Sequence, residues 1–400
     1  MLDYLQHAGF HFEVDEVFTF NAARDRERII LTIAWFSPEQ IRLTRRFVSR
    51  RLIESDATFN SNDRGLLLQD VIGIDNTGKT FPIMHLFHVN EAARFFHFVR
   101  KVLATYFFYD CPGPAVWCGD FAAGLTAAIA QVAAEEALSK GKELARDSPN
   151  PLEMDPLPTA PPYELDSQTI IVDPIAHVED TVSGPDGRSI ILQRCEWHAV
   201  EAIKRKLIHK GYPKSDREGL YDLVWKWVKS MDLDLLDTAR DNLILDLKVD
   251  EKEYLTGYYQ LKEHSFCRAY TRLYPNLGIH STQRNEVQHI ASTKGLSKHI
   301  PVAKAAEIIC ERLKKLPKEY DDRINKDRVS YPRLIDKGFF KLVMYRMTEY
   351  CLKMAMVEYA HAKNMLDELE SNQEDFEFDT TVGCQINCEL PIQQGIPYRC

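Results

Sequence analysis

Up to about residue 118 the chain alternates short apolar runs with turn signals. Phe47 to Phe59 is a mixed apolar run ending in Ser55-Asp56-Ala57-Thr58-Phe59. The runs LLLQDVIGI and KTFPIMHLFHV then bracket Asp75-Asn76-Thr77-Gly78, which predicts a β-hairpin or meander. Glu91 to Tyr109 carries apolar residues at helical spacing, and Ala115 to Cys118 reads as a short buried strand that stops at Gly119-Asp120. A helix is expected to follow through Glu136. Three strands, a helix, a strand and a helix make an α/β arrangement with a mixed sheet.

The pattern then changes. Asp147 to Asp166 holds six prolines and several acids with no usable apolar period, the composition of a linker or extended insertion. Beyond it, Ser189 to Gln193 resembles another strand and Trp197 to Lys210 a helix. Glu218 to Met231 places Leu220, Leu223, Val224, Trp227 and Val228 at helical intervals, and Leu233 to Leu247 and Glu251 to Tyr274 continue in that style. Pro332 to Glu370 predicts another long helical stretch, after which SNQEDFEFDTT turns acidic.

Composition excludes collagen-like, coiled-coil-only and wholly disordered chains, since 45% of the 400 residues are hydrophobic and 27% charged. Nine scattered cysteines do not form a compact disulfide framework, so a reducing compartment is expected. The start, MLDYLQHAGFHFEVDEV, lacks the pattern of a signal peptide, and the most apolar stretch, Phe121 to Ala134, falls short of a bilayer span. A soluble intracellular protein with no membrane partner is the expectation.

The net charge of -9 argues against nucleic acid until its distribution is seen. Glu135 to Ile190 carries -8 and Ala355 to Cys400 carries -7, which leaves +6 for the rest. That remainder holds three basic runs: Arg42, Arg45, Arg46, Arg50 and Arg51; Lys204, Arg205, Lys206 and Lys210; Arg312, Lys314, Lys315 and Lys318. Each suits a polyanion, or equally one solvated face of an amphipathic element.

Asp56 ends one predicted strand and Asp120 follows another. If the strands lie side by side, the two carboxylates emerge together and repel unless a cation neutralises them. Mg²⁺ prefers oxygen ligands, and a pair of such ions suits phosphodiester chemistry. Taken singly, an Asp at a strand end is more commonly a cap or turn residue.

Four blocks, SDATFNSNDRGLLLQDVIGIDNTGKTFPIMHLF, AVWCGDFAAGL, CEWHAVEAI and YPNLGIHSTQRNEVQH, occur in that order between about Pro38 and Ile290. Together they resemble the transposase domain of Mutator-like elements. The resemblance implies an RNase H-like mixed sheet flanked by helices, with an all-helical insertion before a third acidic residue. It also implies a DDE triad whose matches are Asp56, Asp120 and Glu286, binding Mg²⁺ or Mn²⁺. The implied partners are double-stranded DNA, as transposon terminal repeats and target, and further copies of the chain; the implied location is the nucleus.

On this basis the chain divides into a lead-in (1–37), a first core part (38–146), an acidic Pro-rich insertion (147–188), a second core part (189–215), a helical insertion (216–275), C-terminal core helices (276–370) and a cysteine segment (371–400). Glu263 competes with Glu286 for the third acid. Glu286 is preferred because Asn276-Leu277-Gly278 signals a turn before an exposed helix start, whereas Glu263 is expected on the solvated face of an amphipathic helix. Cys195 and His198 form C-x2-H at a strand–helix junction, either a buried thiol with a capping or core His or, as the resemblance implies, accessory groups near the active site. His289, one turn beyond Glu286, is open to the same cleft or to a structural role.

Cys384, Cys388 and Cys400 resemble the start of a SWIM-type zinc motif without its Cys-x-His ending, and three thiols alone make a weak zinc site. The short lead-in and incomplete zinc motif suggest a truncated copy and an alternative function, a transposase-derived protein that binds DNA or protein without catalysis. A hydrolytic nuclease of the same superfold is a third candidate, disfavoured by the helical insertion.

Overall fold

The computed structural model describes residues 1–20, 26–90, 93–120, 181–183, 189–208, 212–330, 335, 337–344 and 347–371. The chain divides into two compact units, Met1–Asn90 with Thr282–Gly383, and Glu91–Ser281 with Cys384–Cys400. Among the described residues no helix is long and apolar enough to cross a membrane.

The first unit opens with α1 (Leu2–His7), β1 (His11–Phe20), β2 (Arg26–Phe36), α2 (Pro38–Phe47), β3 (Leu52–Thr58), β4 (Leu67–Ile74) and β5 (Thr80–His88). Its strands run in the order β1-β2-β5-β4-β3, each antiparallel to its neighbour. Residues 1–37 are therefore no mere lead-in: they supply a helix and, among the described residues, the two longest strands. β2 passes from exposed at its start to fully buried over its last five residues, and Trp35 packs with Leu5, Phe10, Leu68 and Phe87 in the core. The acids and bases of β1 and of the exposed half of β2 masked this strand pair; Arg28 and Glu16 pair across it.

Local chemistry sets the ends of these elements. Ser37 caps α2, its hydroxyl accepting from the Gln40 N–H while the Gln40 side chain accepts from the Ser37 N–H, and Pro38 occupies the first turn. At the hairpin, Asp75 Oδ1 accepts from the Thr77 N–H at 2.8 Å and from the Thr77 hydroxyl at 2.6 Å, and Gly78 adopts φ +73°.

The second unit contains α3 (Ala93–Val102), β6 (Val116–Gly119), β7 (Thr181–Ser183), β8 (Ser189–Arg194), α4 (Glu196–Ile203), α5 (Lys214–Lys229), α6 (Leu233–Asp246), α7 (Val249–Tyr254) and α8 (Arg268–Thr271). β8 runs parallel to β6 and antiparallel to β7. Val224, Trp227, Leu236, Leu243, Leu255 and Phe266 form a separate apolar core among the helices. Glu251 to Tyr274 is not one helix: α7 passes into a π-turn over Leu255–Tyr259 and a 3₁₀ helix over Gln260–Ser265 before α8. Three tyrosines, Tyr254, Tyr258 and Tyr259, pack on one another across that change of pitch. The helix expected through Glu136 and the Pro-rich segment up to Asp166 lie outside the described residues.

The chain then returns to the first unit with α9 (Gln283–Thr293), α10 (Val302–Leu313), α11 (Leu316–Val329) and α12 (Glu349–Ser371). α12 begins 17 residues after Pro332, where a long helical stretch was expected to start; turns occupy most of 337–344. α9 packs on β3, β4 and β5, and α10 adds Ala305, Ala306 and Ile309 to the core around Trp35. The protein is α/β, with strands paired both ways and helices packed against them.

Candidate functional site

Asp56 lies near the end of β3, half-buried, and its carboxylate accepts from the Ala57 N–H at 2.9 Å. Glu286 lies in the first turn of α9 and is exposed, where the partial positive charge of a helix N-terminus favours an acid. Distant in sequence, these two residues meet: carboxylate oxygens of Asp56 and Glu286 lie within 4.8 Å of each other. Two ionised carboxylates so close repel, and a bound cation relieves that. Carboxylate oxygens such as these two suit a hard divalent ion, Mg²⁺ or Mn²⁺.

Behind the pair is a third acid of the first unit that sequence reasoning missed. Glu54, two residues before Asp56 on β3, is buried, and burial pushes its carboxyl up to about 8. The Arg284 charge and the Asn285 N–H oppose that rise, and the Asp56 charge adds to it. Glu54 is consequently a neutral acid at pH 7.

Asp70 and His85 were also missed. Asp56 faces Asp70 across β3 and β4, and Asp70 faces His85 across β4 and β5. Asp70 is fully buried, with His85 Nδ1 2.6 Å from its Oδ1. Burial acts to raise the Asp70 carboxyl, yet the charge and hydrogen bond of His85, together with His289, outweigh it and hold the group below its usual value. The signal was present in the text: an Asp in the middle of the apolar strand LLQDVIGI.

His289 is buried and its Nε2 lies 3.0 Å from the Asp56 carbonyl oxygen. A carbonyl only accepts, so Nε2 carries the proton and donates.

In the second unit, Asp120 follows β6 and His198 lies on α4. The Cys195 N–H donates to the Gly119 carbonyl at 3.0 Å, which brings the two segments together, and His198 Nε2 lies 3.9 Å from Asp120 Oδ2. Cys195 itself is buried at the head of α4. The start of α4 is held by a paired Glu196 and Arg268, with Nε and Nη2 each 2.9 Å from a carboxylate oxygen. Gln193 donates to the Ile279 carbonyl at 2.6 Å and accepts from Asn276 at 2.8 Å.

Glu263 does not occupy a solvated face, contrary to expectation. It is buried in the 3₁₀ segment and accepts from Arg240 Nη1 at 3.0 and 3.1 Å and from Trp227 Nε1 at 3.2 Å. Its carboxylate neutralises a cation inside the helical core, a structural task. Cys384, Cys388 and Cys400 lie outside the described residues.

Several members of the basic runs have protein partners. Arg42 pairs with Glu39, Lys204 with Glu201 and Lys314 with Glu311. Arg312 donates to the carbonyls of Ala291, Ser292 and Lys294, capping the C-terminal end of α9. Compared with family models and with curated proteins, the chain matches none.

Proposed function

We propose that the protein is a DDE-type DNA transposase that uses Asp56, Asp120 and Glu286 with Mg²⁺ or Mn²⁺ to cleave and join transposon-end DNA. One observation carries this: Asp56 and Glu286, distant in sequence, have carboxylate oxygens within 4.8 Å. The resemblance of the four sequence blocks assigns Asp120 as the remaining acid and an RNase H-like fold to the α/β core. A pair of bound divalent ions would supply an activated oxygen nucleophile and neutralise the departing oxygen. Asp56 and Glu286 would hold the ion as anionic oxygen donors, one from a strand and one from a helix N-terminus. No covalent protein intermediate is required.

The test is cleavage of terminal-repeat DNA by purified protein with Mg²⁺ or Mn²⁺. Asp56→Asn is expected to lower nicking and joining by at least about a hundredfold, the scale on which electrostatic groups act at the transition state, while DNA binding persists. A D56N protein that still cuts overturns the assignment. Wild-type protein that binds DNA but neither holds Mn²⁺ nor cuts would instead support the transposase-derived, non-catalytic alternative. Products that are hydrolysed and never joined would point to a nuclease.

A further inference from the structure

A buried pair of the first unit, Asp70 and His85, takes no part in the chemistry above. Asp56, Asp70 and His85 stand directly opposite one another on β3, β4 and β5, so their side chains leave one face of the sheet. Leu68, Val71 and Ile72 around Asp70 are all buried apolar residues, and a polar pair buried in such a place is rarely a better source of stability than apolar packing. Its retention asks for another task.

α9 lies over that row. His289 donates to the Asp56 carbonyl at 3.0 Å, and the same Nε2 is 3.9 Å from Asp70 Oδ2. Asn285, one turn earlier, donates to the Asp70 carbonyl at 3.2 Å. These two bonds fasten successive turns of the helix to the backbones of β3 and β4, and Glu286 sits between them in the sequence. The same residues that dock the helix thus determine where the Glu286 carboxylate stands relative to Asp56.

We propose that Asp70, held by His85, acts with His289 as a positioning network that sets the spacing of the Asp56 and Glu286 carboxylates and hence their affinity for a divalent cation. The proposal rests on the cation-site assignment made above. His289 and Asp70 are positioning residues, with Asp56 and Glu286 as the residues that would hold the ion.

Full-length wild type, Asp56→Asn, His289→Gln, His289→Asn and Asp70→Asn are titrated with Mn²⁺, the free ion being read by electron paramagnetic resonance. A glutamine amide nitrogen reaches the place of Nε2, whereas that of asparagine stops short. H289Q is expected to stay within about threefold of wild type, and H289N and D70N to bind about tenfold or more weakly, as loss of outer partners of metal ligands typically does. Thermal unfolding followed by circular dichroism reports whether each variant keeps its fold. Equal affinities for H289Q and H289N overturn the proposal. D70N decides if H289N fails to fold: it preserves size while exchanging the charged carboxylate for a neutral amide, and affinity within about threefold of wild type would again overturn it. If wild type and D56N bind Mn²⁺ alike, the cation assignment itself is wrong; if D56N alone loses the ion, the positioning network is wrong and the cation site stands.

Discussion

Glu54 makes pH a direct probe of the first unit. Its carboxyl sits at about 8 in the folded protein against an ordinary 4.5, so the folded state holds this proton more tightly than the unfolded state does. Below pH 4.5 both states are protonated and Glu54 exacts no penalty. As pH climbs from there through 8 the unfolded chain ionises first, and stability falls. Glu54→Gln removes that loss. Calorimetry from pH 5 to 9 should find the melting temperature of wild type dropping by several degrees more than that of E54Q; parallel curves would refute the buried neutral acid. Neither Glu54 nor the Asp70–His85 pair was legible as a site residue from the text, because a charged letter inside an apolar strand announces that something is buried without naming what it meets. Glu286 was legible as an exposed acid at a helix start: Asn276-Leu277-Gly278 and the polar run after it marked that start, and an exposed first-turn acid is what α9 carries.

At the scale of elements, the turn read from adjacent residues is present. Asp75-Asn76-Thr77-Gly78 forms the hairpin turn between β4 and β5, and Gly78 is needed there twice over. Its φ of +73° suits glycine, and a Cβ would fall 2.5 Å from the Tyr350 ring. Gly78→Ala is expected to destabilise by about 2 kcal/mol, combining backbone strain with a displaced ring. Ser37→Ala, which removes half of a capping box, should cost about 1 kcal/mol. Urea denaturation measures both, and a G78A protein as stable as wild type would mean the turn relaxes freely. Two elements escaped the periodicity. The charged residues of β1 and of the exposed start of β2 hid a strand pair whose burial in β2 begins only near Ile33. Glu251 to Tyr274 kept helical spacing while its backbone changed pitch twice, since periodicity of 3.6 tolerates single-turn departures.

At the scale of the whole molecule, the two acids that competed for one role separate by what surrounds them. Glu263→Ala leaves Arg240 and the Trp227 N–H without their acceptor inside the helical core of the second unit, a loss of about 3–5 kcal/mol by analogy with other broken buried pairs. Its Mn²⁺ affinity should match wild type. Glu286→Gln should do the reverse, weakening the ion while barely moving stability, because its side chain is exposed. Denaturation and Mn²⁺ titration of the two variants side by side check this; weakened Mn²⁺ binding in E263A would reopen the choice of acid.

The text by itself determined what depends on neighbours in the chain: an α/β opening, the hairpin at Asp75, the helical run after residue 215, and an acid at the end of one strand and at the head of one helix. Only the tertiary structure decided which acids meet. That Asp56 and Glu286 lie within 4.8 Å, that Asp70 is buried against His85, and that Glu263 is spent on Arg240 all follow from strand register and from how α9 docks on the sheet. Those are long-range packing choices made by the summed burial of many apolar side chains, and no local window of sequence contains them.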